Sequence, residues 1–143
     1  MYKIQYSIFN KTIINVLVYK GGSMKESMYD RYGGFGTVSK IVHKLYEKMS
    51  ASETLQAFFE NVDMQRLMSH QTQFFSYIMG GPFIYDNAQL AKVHRNLGIT
   101  HETFVEVEEL LEEVLEDFNV NQNDIDTLLA MVKGLESQIV SQT

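Results

Sequence analysis

The chain has 143 residues and a formal net charge of −6; 45% of the residues are hydrophobic and 21% charged, which fits one folded domain and excludes a largely disordered chain. It contains no cysteine, so disulfides, zinc–thiolate sites and a cysteine nucleophile are excluded, as suits a reducing cytoplasm. No run approaches the roughly 18 apolar residues of a membrane span, and the acidic balance argues against nucleic-acid binding through a general basic surface.

Residues 1–24 stand apart, with loose alternation of apolar and polar residues and an end at Gly21-Gly22-Ser23. Gln5, Asn10, Lys11 and Asn15 interrupt the apolar stretch, which makes a poor signal peptide. They read as an N-terminal extension to a domain at 25–143: a short strand, a frayed helix, or the product of a start codon set too early, since Met24 and Met28 follow at once. A single proline favours long helices in the remainder.

After Gly33-Gly34, Val38, Ile41, Val42, Leu45, Tyr46 and Met49 recur at helical spacing and predict a helix of about 14 residues. A helical turn is expected at Glu53–Phe58, with Ser52 as its N-cap. Asp63 caps the next helix, whose stripe is Leu67, His70, Gln71, Phe74, Phe75 and Ile78; Gly80-Gly81-Pro82 ends it. A short helix at Ala88–Leu97 carries Leu90, Val93, His94 and Leu97, and Gly98 terminates it. Thr100, or Thr103 in competition, starts a long helix to Phe118 with Phe104, Val107, Leu111, Val114 and Leu115 on one face. A last helix carries Ile125, Leu128, Leu129, Val132, Leu135 and Ile139. The pattern is all-α, with five substantial helices. Residues 102–126 hold ten acids and no lysine or arginine, read as a solvated helix face.

Four polar residues occupy apolar stripes: Tyr46, His70, Gln71 and His94. A buried polar group without a partner costs roughly 1–3 kcal/mol. Taken singly, each has an ordinary reading: a core tyrosine with its hydroxyl at a carbonyl, a satisfied core histidine, a stripe edge that reaches water. Four on three helices fit equally well a buried pocket with convergent polar groups. His43 and His101 read as surface histidines. There is no HExxH pair, and Gly33-Gly34-Phe35-Gly36 lacks the lysine of a phosphate loop.

Several segments, in order, resemble the truncated haemoglobins of the first group, the two-over-two helical sandwich of the globin superfamily. Tyr29-Asp30-Arg31-Tyr32-Gly33-Gly34 is similar to that family's YxxxGG opening, and Leu45-Tyr46 to the tyrosine of its first long helix. Phe58-Phe59 with Asp63-Met64, His70-Gln71 with Phe74, and Gly80-Gly81-Pro82 with Tyr85 follow at the expected places. Val93-His94 with Leu97-Gly98-Ile99-Thr100 resembles the proximal histidine segment.

The resemblance implies a haem b, iron protoporphyrin IX, held non-covalently. It implies His94 as the axial ligand of the iron, Phe59 packed on the porphyrin, and Phe58, Phe74, Phe75 and Leu90 as apolar walls. A backbone carbonyl of the same helix is the expected partner of the second imidazole nitrogen. Tyr46 and Gln71 would donate hydrogen bonds to bound dioxygen or nitric oxide; carbon monoxide, carrying less charge, would gain less. Leu67, one turn before Gln71, stands where many relatives carry a polar residue. His70 corresponds to a position at which some relatives bind the iron with a histidine, and others turn the side chain to solvent or to the haem propionates. The latter is expected here, with a six-coordinate redox or electron-transfer protein as the alternative. No histidine follows His101, so the covalent haem link of some relatives is not expected. A monomeric cytoplasmic protein that binds dioxygen and nitric oxide reversibly, for storage, delivery or sensing, is the leading expectation. The other is a nitric oxide dioxygenase, which would need a separate reductase, because the chain shows no flavin or nicotinamide motif.

Overall fold

The structure is a computed structural model that describes residues 26–141; the extension read at residues 1–24 lies outside the described residues. Among the described residues there are seven α-helices, one 3-10 turn and no strand. Helix α1, Met28–Arg31, is capped by Ser27, whose Oγ accepts from the Asp30 backbone N–H at 3.1 Å. Helix α2, Phe35–Ala51, begins immediately after Gly34 and so exceeds the expected length. The 3-10 turn is Gln56–Phe59. Helix α3, Met64–Ile78, starts at Asp63, whose carboxylate accepts from the Arg66 backbone at 3.1 Å. Helix α4 is Asn87–His94, capped by Asp86. Helix α5 is His101–Asp117, α6 is Gln122–Lys133 and α7 is Glu136–Ile139.

Helices α2 and α3 pack as one pair and α5 and α6 as another, with α2 lying against α5 between them. This is the two-over-two arrangement. The seam is built from the periodic apolar residues: Val38, Ile41, Val42 and Leu45 of α2 meet Phe74, Phe75 and Ile78 of α3, Leu111, Val114 and Leu115 of α5, and Ile125 and Leu128 of α6. Val38, Val42, Val114 and Leu128 have no exposed surface. Each such side chain contributes roughly 1.5–3 kcal/mol by leaving water.

Several boundaries differ from those the pattern suggests. Thr100 and Thr103 do not compete: each side-chain oxygen accepts the other's backbone N–H, at 3.2 and 3.0 Å, so one capping box uses both. Ser52 is not the cap of the 3-10 turn. It ends α2, and its hydroxyl bonds Glu106 of α5 instead, as does Thr54. Helix α4 ends at His94, three residues before Leu97; the Leu97 N–H turns back to the His94 carbonyl at 3.2 Å, and Gly98 supplies the left-handed φ of 71° that closes the end. The final apolar run is two helices rather than one. Gly134, a poor helix former, caps α6, and the chain turns before α7 begins. The acidic run is mostly a solvated face, but Asp124 is buried, in an ion pair with Arg31 at 2.7 Å.

The two glycine motifs form one device. The Tyr29 N–H donates to the Met79 carbonyl at 2.8 Å, and the Tyr29 ring lies so close to Gly81 that a Cβ there would sit 2.8 Å from it. Tyr29 also meets Phe83 edge-on, 6.1 Å between centroids. Through Tyr29, the segment before α2 holds the start of the loop that leads from α3 to α4.

Candidate functional site

That loop, with α2, α3, α4 and α5, encloses a cavity of about 900 Å³, near the top of the roughly 300–1,000 Å³ range of small-molecule and cofactor sites. All four polar residues of the apolar stripes line it: Tyr46, His70, Gln71 and His94. So do Phe58, Phe59 and Leu67. Phe74, Phe75 and Leu90, expected as walls, are not among the lining residues. They are buried behind it: Phe74 packs edge-on against Tyr85, 4.9 Å between centroids, and it is Tyr85 that reaches the cavity.

His94 closes helix α4, and its Nδ1 lies 2.7 Å from the Leu90 carbonyl oxygen, one turn earlier. A carbonyl only accepts, so Nδ1 carries a proton, and in the neutral ring it is Nε2 that keeps the lone pair. That is the tautomer a metal needs, with the ring orientation fixed by the helix's own backbone. The sequence suggested a carbonyl of this helix; the structure identifies it as that of Leu90.

Tyr46 projects from the middle of α2 and is buried, its ring edge-on to Phe59 at 5.7 Å. Burial, and then the proximity of Tyr85, push its phenol above the ordinary value, so it stays protonated and able to donate at neutral pH. Burial and then Asp86 raise Tyr85 in the same direction. Gln71 is half-buried on α3, and its neighbour His70 is exposed at the rim. His70 also borders a shallow groove with Asp63, Arg66 and Ser69.

The cavity walls carry apolar surface that no group among the described residues covers. Val93 and Leu97, read as core-facing, are 56% and 48% exposed, and Ile84 and Val62 are 49% and 39% exposed. All four line this cavity. Uncovered apolar side chains gathered around one concavity are the mark of a site shaped for an apolar occupant. A flat hydrophobic macrocycle with a central metal fits these walls and the lone-pair nitrogen of His94. Sequence pattern missed Tyr85, Phe83, Ile84 and Val62 as lining residues because they lie outside periodic helical stripes.

An all-α two-over-two sandwich with a histidine-bearing apolar cavity defines a globin of the truncated class. Residues 27–141 match the family model described as "Bacterial-like globin", and the chain belongs to that family. Among curated relatives, the Group 1 truncated hemoglobin GlbN of Mycolicibacterium paratuberculosis is 32% identical over 115 residues, covering 80% of this chain and 85% of the relative. The protein of the same name from Synechocystis sp. is 31% identical over 112 residues, covering 76% of this chain and 90% of the relative. Among solved structures, a 2/2 hemoglobin from Synechococcus sp., determined in the cyanomet state with covalently attached heme, matches at a TM-score of 0.71 and 30% identity, covering 80% of this chain and 98% of that one. As a globin, this chain is a haem-binding protein whose family takes diatomic gas ligands. Among the described residues, no helix is long and apolar enough to cross a membrane.

Proposed function

We propose that this globin binds dioxygen and nitric oxide reversibly at a non-covalently held haem b, which His94 would hold through Nε2. Haem, when bound, would supply the iron at which a diatomic gas is held. The observation that carries the reading is the Nδ1 contact of His94 with Leu90, which leaves Nε2 of the neutral ring as the acceptor within an apolar cavity. Phe58, Phe59, Val93 and Leu97 line the cavity and would cover the faces of the macrocycle and exclude water. Tyr46 and Gln71 would donate hydrogen bonds to the gas. The only histidines are His43, His70, His94 and His101, so no histidine of the last helices is present to link haem covalently.

An optical spectrum after haem addition, ferric and then ferrous without oxygen, tests this. The expected result is an intense Soret band and a five-coordinate ferrous form. In His94→Ala, haem affinity falls by at least about tenfold. A normal, fully retained spectrum in His94→Ala would overturn the axial assignment, and the absence of any Soret band in the unmodified protein would overturn the whole reading.

A further inference from the structure

Helix α4 is thinly held. The cavity lies on the side of Val93 and Leu97, and both ends of the helix run into loops. Leu90, its one fully buried apolar residue, lies outside the central cluster that unites α2, α3, α5 and α6. The helix against which α4 packs most extensively is α7, the short turn that the break at Gly134 sets apart from α6. Leu135, Ile139 and Val140 in turn pack on the central core, so α7 lies between that core and the histidine-bearing helix. Beyond α7 the Ser141 N–H donates to the Ile99 carbonyl at 2.9 Å, and Ile99 lines the cavity in the loop that follows His94. Glu136 at the start of α7 contacts His101 at the start of α5.

We infer that Leu135–Ser141 is a positioning strap for the proximal helix, and that the Ser141–Ile99 hydrogen bond closes it. The strap acts through His94: it fixes where α4 lies, and α4 fixes the imidazole. Its docking is only partly compensated, because Gln138 Oε1 and Ser141 Oγ are buried without a partner among the described residues. An unpaired buried polar atom loses water and gains nothing in return. The strap therefore closes by a small margin, and its opening releases α4 as a local event while the two helix pairs stay folded. The role of the strap in the iron–histidine bond rests on the haem reading; the restraint of α4 does not.

Ser141→Pro is the selective test, because proline removes the donor N–H. Val140 already has φ −75° and ψ 128°, the extended conformation that a residue before proline adopts. Ser141→Ala is its counterpart: it keeps the N–H and removes the unpaired hydroxyl. Amide hydrogen exchange on the haem-free protein reads the restraint. Exchange along Asn87–Leu97 should rise about two- to tenfold in Ser141→Pro, the weight of one hydrogen bond. It should not rise in Ser141→Ala, and the α2 amides of Val38–Met49 should keep wild-type protection in both. The vibrational band of the ferrous iron–histidine bond, read in the haem-loaded protein, should shift or broaden in Ser141→Pro alone. Unchanged exchange along Asn87–Leu97 in Ser141→Pro would overturn the strap. Faster exchange with an unmoved iron–histidine band would overturn its positioning role. Failure of the unmodified protein to take up haem would sink the haem reading and leave the exchange result to decide the restraint.

Discussion

Arg31 holds Asp124 through both terminal guanidinium nitrogens, at 2.7 and 2.9 Å, and the Tyr32 hydroxyl reaches the same carboxylate at 2.6 Å. Residues just ahead of α2 are thereby tied to the first turn of α6, across the two helix pairs. Arg31, and then Tyr32, hold the Asp124 carboxyl down to about 2, against its ordinary 3.8. A lowered folded value means that the contribution is complete above the ordinary value and is lost as pH falls from there through about 2. Asp124→Asn keeps one acceptor but no charge. It should cost about 1–2 kcal/mol at neutral pH, allowing for an Arg31 side chain that is 39% exposed. Thermal melts from pH 7 to pH 2 should show the gap between variant and wild type closing toward the acid end. A gap of constant size would show that the ion pair is not its source.

Gly81 admits the Tyr29 ring because it has no side chain. A Cβ there would lie 2.8 Å from the Ser76 carbonyl oxygen and 2.8 Å from the ring, and the carbonyl belongs to helix backbone that cannot give way. Gly81→Ala is expected to destabilise by roughly 1–3 kcal/mol, the cost of overpacking. Gly36, by contrast, lies in the first turn of α2, and among the described residues nothing beyond its chain neighbours and its own helix backbone comes within 4 Å of its would-be Cβ. Gly36→Ala is expected to stabilise by about 0.5–1 kcal/mol through the unfolded chain. Equal effects in urea titrations of the two variants would refute the steric account of Gly81.

Most of this architecture is written in periodic stripes. Val38 through Met49 and Phe104 through Phe118 name their own buried faces, and Asp63, Thr100 and Gly98 mark ends, because caps and left-handed glycines act locally. The pocket was legible for a different reason: Tyr46, His70, Gln71 and His94 break the stripes they sit on, and all four line one cavity. Tertiary geometry set what the stripes could not. Val93 and Leu97 satisfy helical periodicity yet face the cavity, so an apolar residue that meets protein and one that meets an apolar occupant look alike in sequence. Tyr85 takes the wall position expected of Phe74, because the loop after Pro82 brings its ring against Phe74 and onto the cavity lining. The break before α7 arises from a lone Gly134 inside an otherwise continuous stripe, a signal too weak to separate from a tolerated glycine.

His70 is exposed at the rim, sharing a groove with Arg66 and Ser69. A side chain in that setting is solvated, and drawing it to the iron would cost its hydration. His70→Leu is therefore expected to leave the ferrous, ligand-free spectrum five-coordinate and to change dioxygen release by less than about twofold, as for a surface substitution. A six-coordinate ferrous spectrum in the unmodified protein that turns five-coordinate in His70→Leu would make His70 the sixth ligand and redox chemistry the leading role.

Tyr46 and Gln71 differ in what they can lose. Tyr46 is buried, and its phenol, raised by burial and then by Tyr85, remains an O–H donor throughout the neutral and mildly alkaline range. Gln71 is half-buried on α3 and adds an amide N–H from a second helix. Leu67, one turn earlier and also on the cavity wall, offers no donor, so in the proposed function Tyr46 and Gln71 would carry the polar contacts to the gas. A hydrogen bond to a charge-bearing partner is worth roughly 1.5–3 kcal/mol, or about one to two decades in rate. Tyr46→Phe keeps the ring against Phe59 and removes only the donor, so dioxygen release should accelerate by about ten- to a hundredfold. Gln71→Leu should accelerate it by less, because water at a half-buried position can replace part of the bond. The double variant should fall short of the product of the two effects, since both donors serve one acceptor atom. Carbon monoxide release should change far less in all three. Stopped-flow release rates for both gases decide this, and equal acceleration for dioxygen and carbon monoxide would point to altered access through the cavity mouth rather than to lost hydrogen bonds.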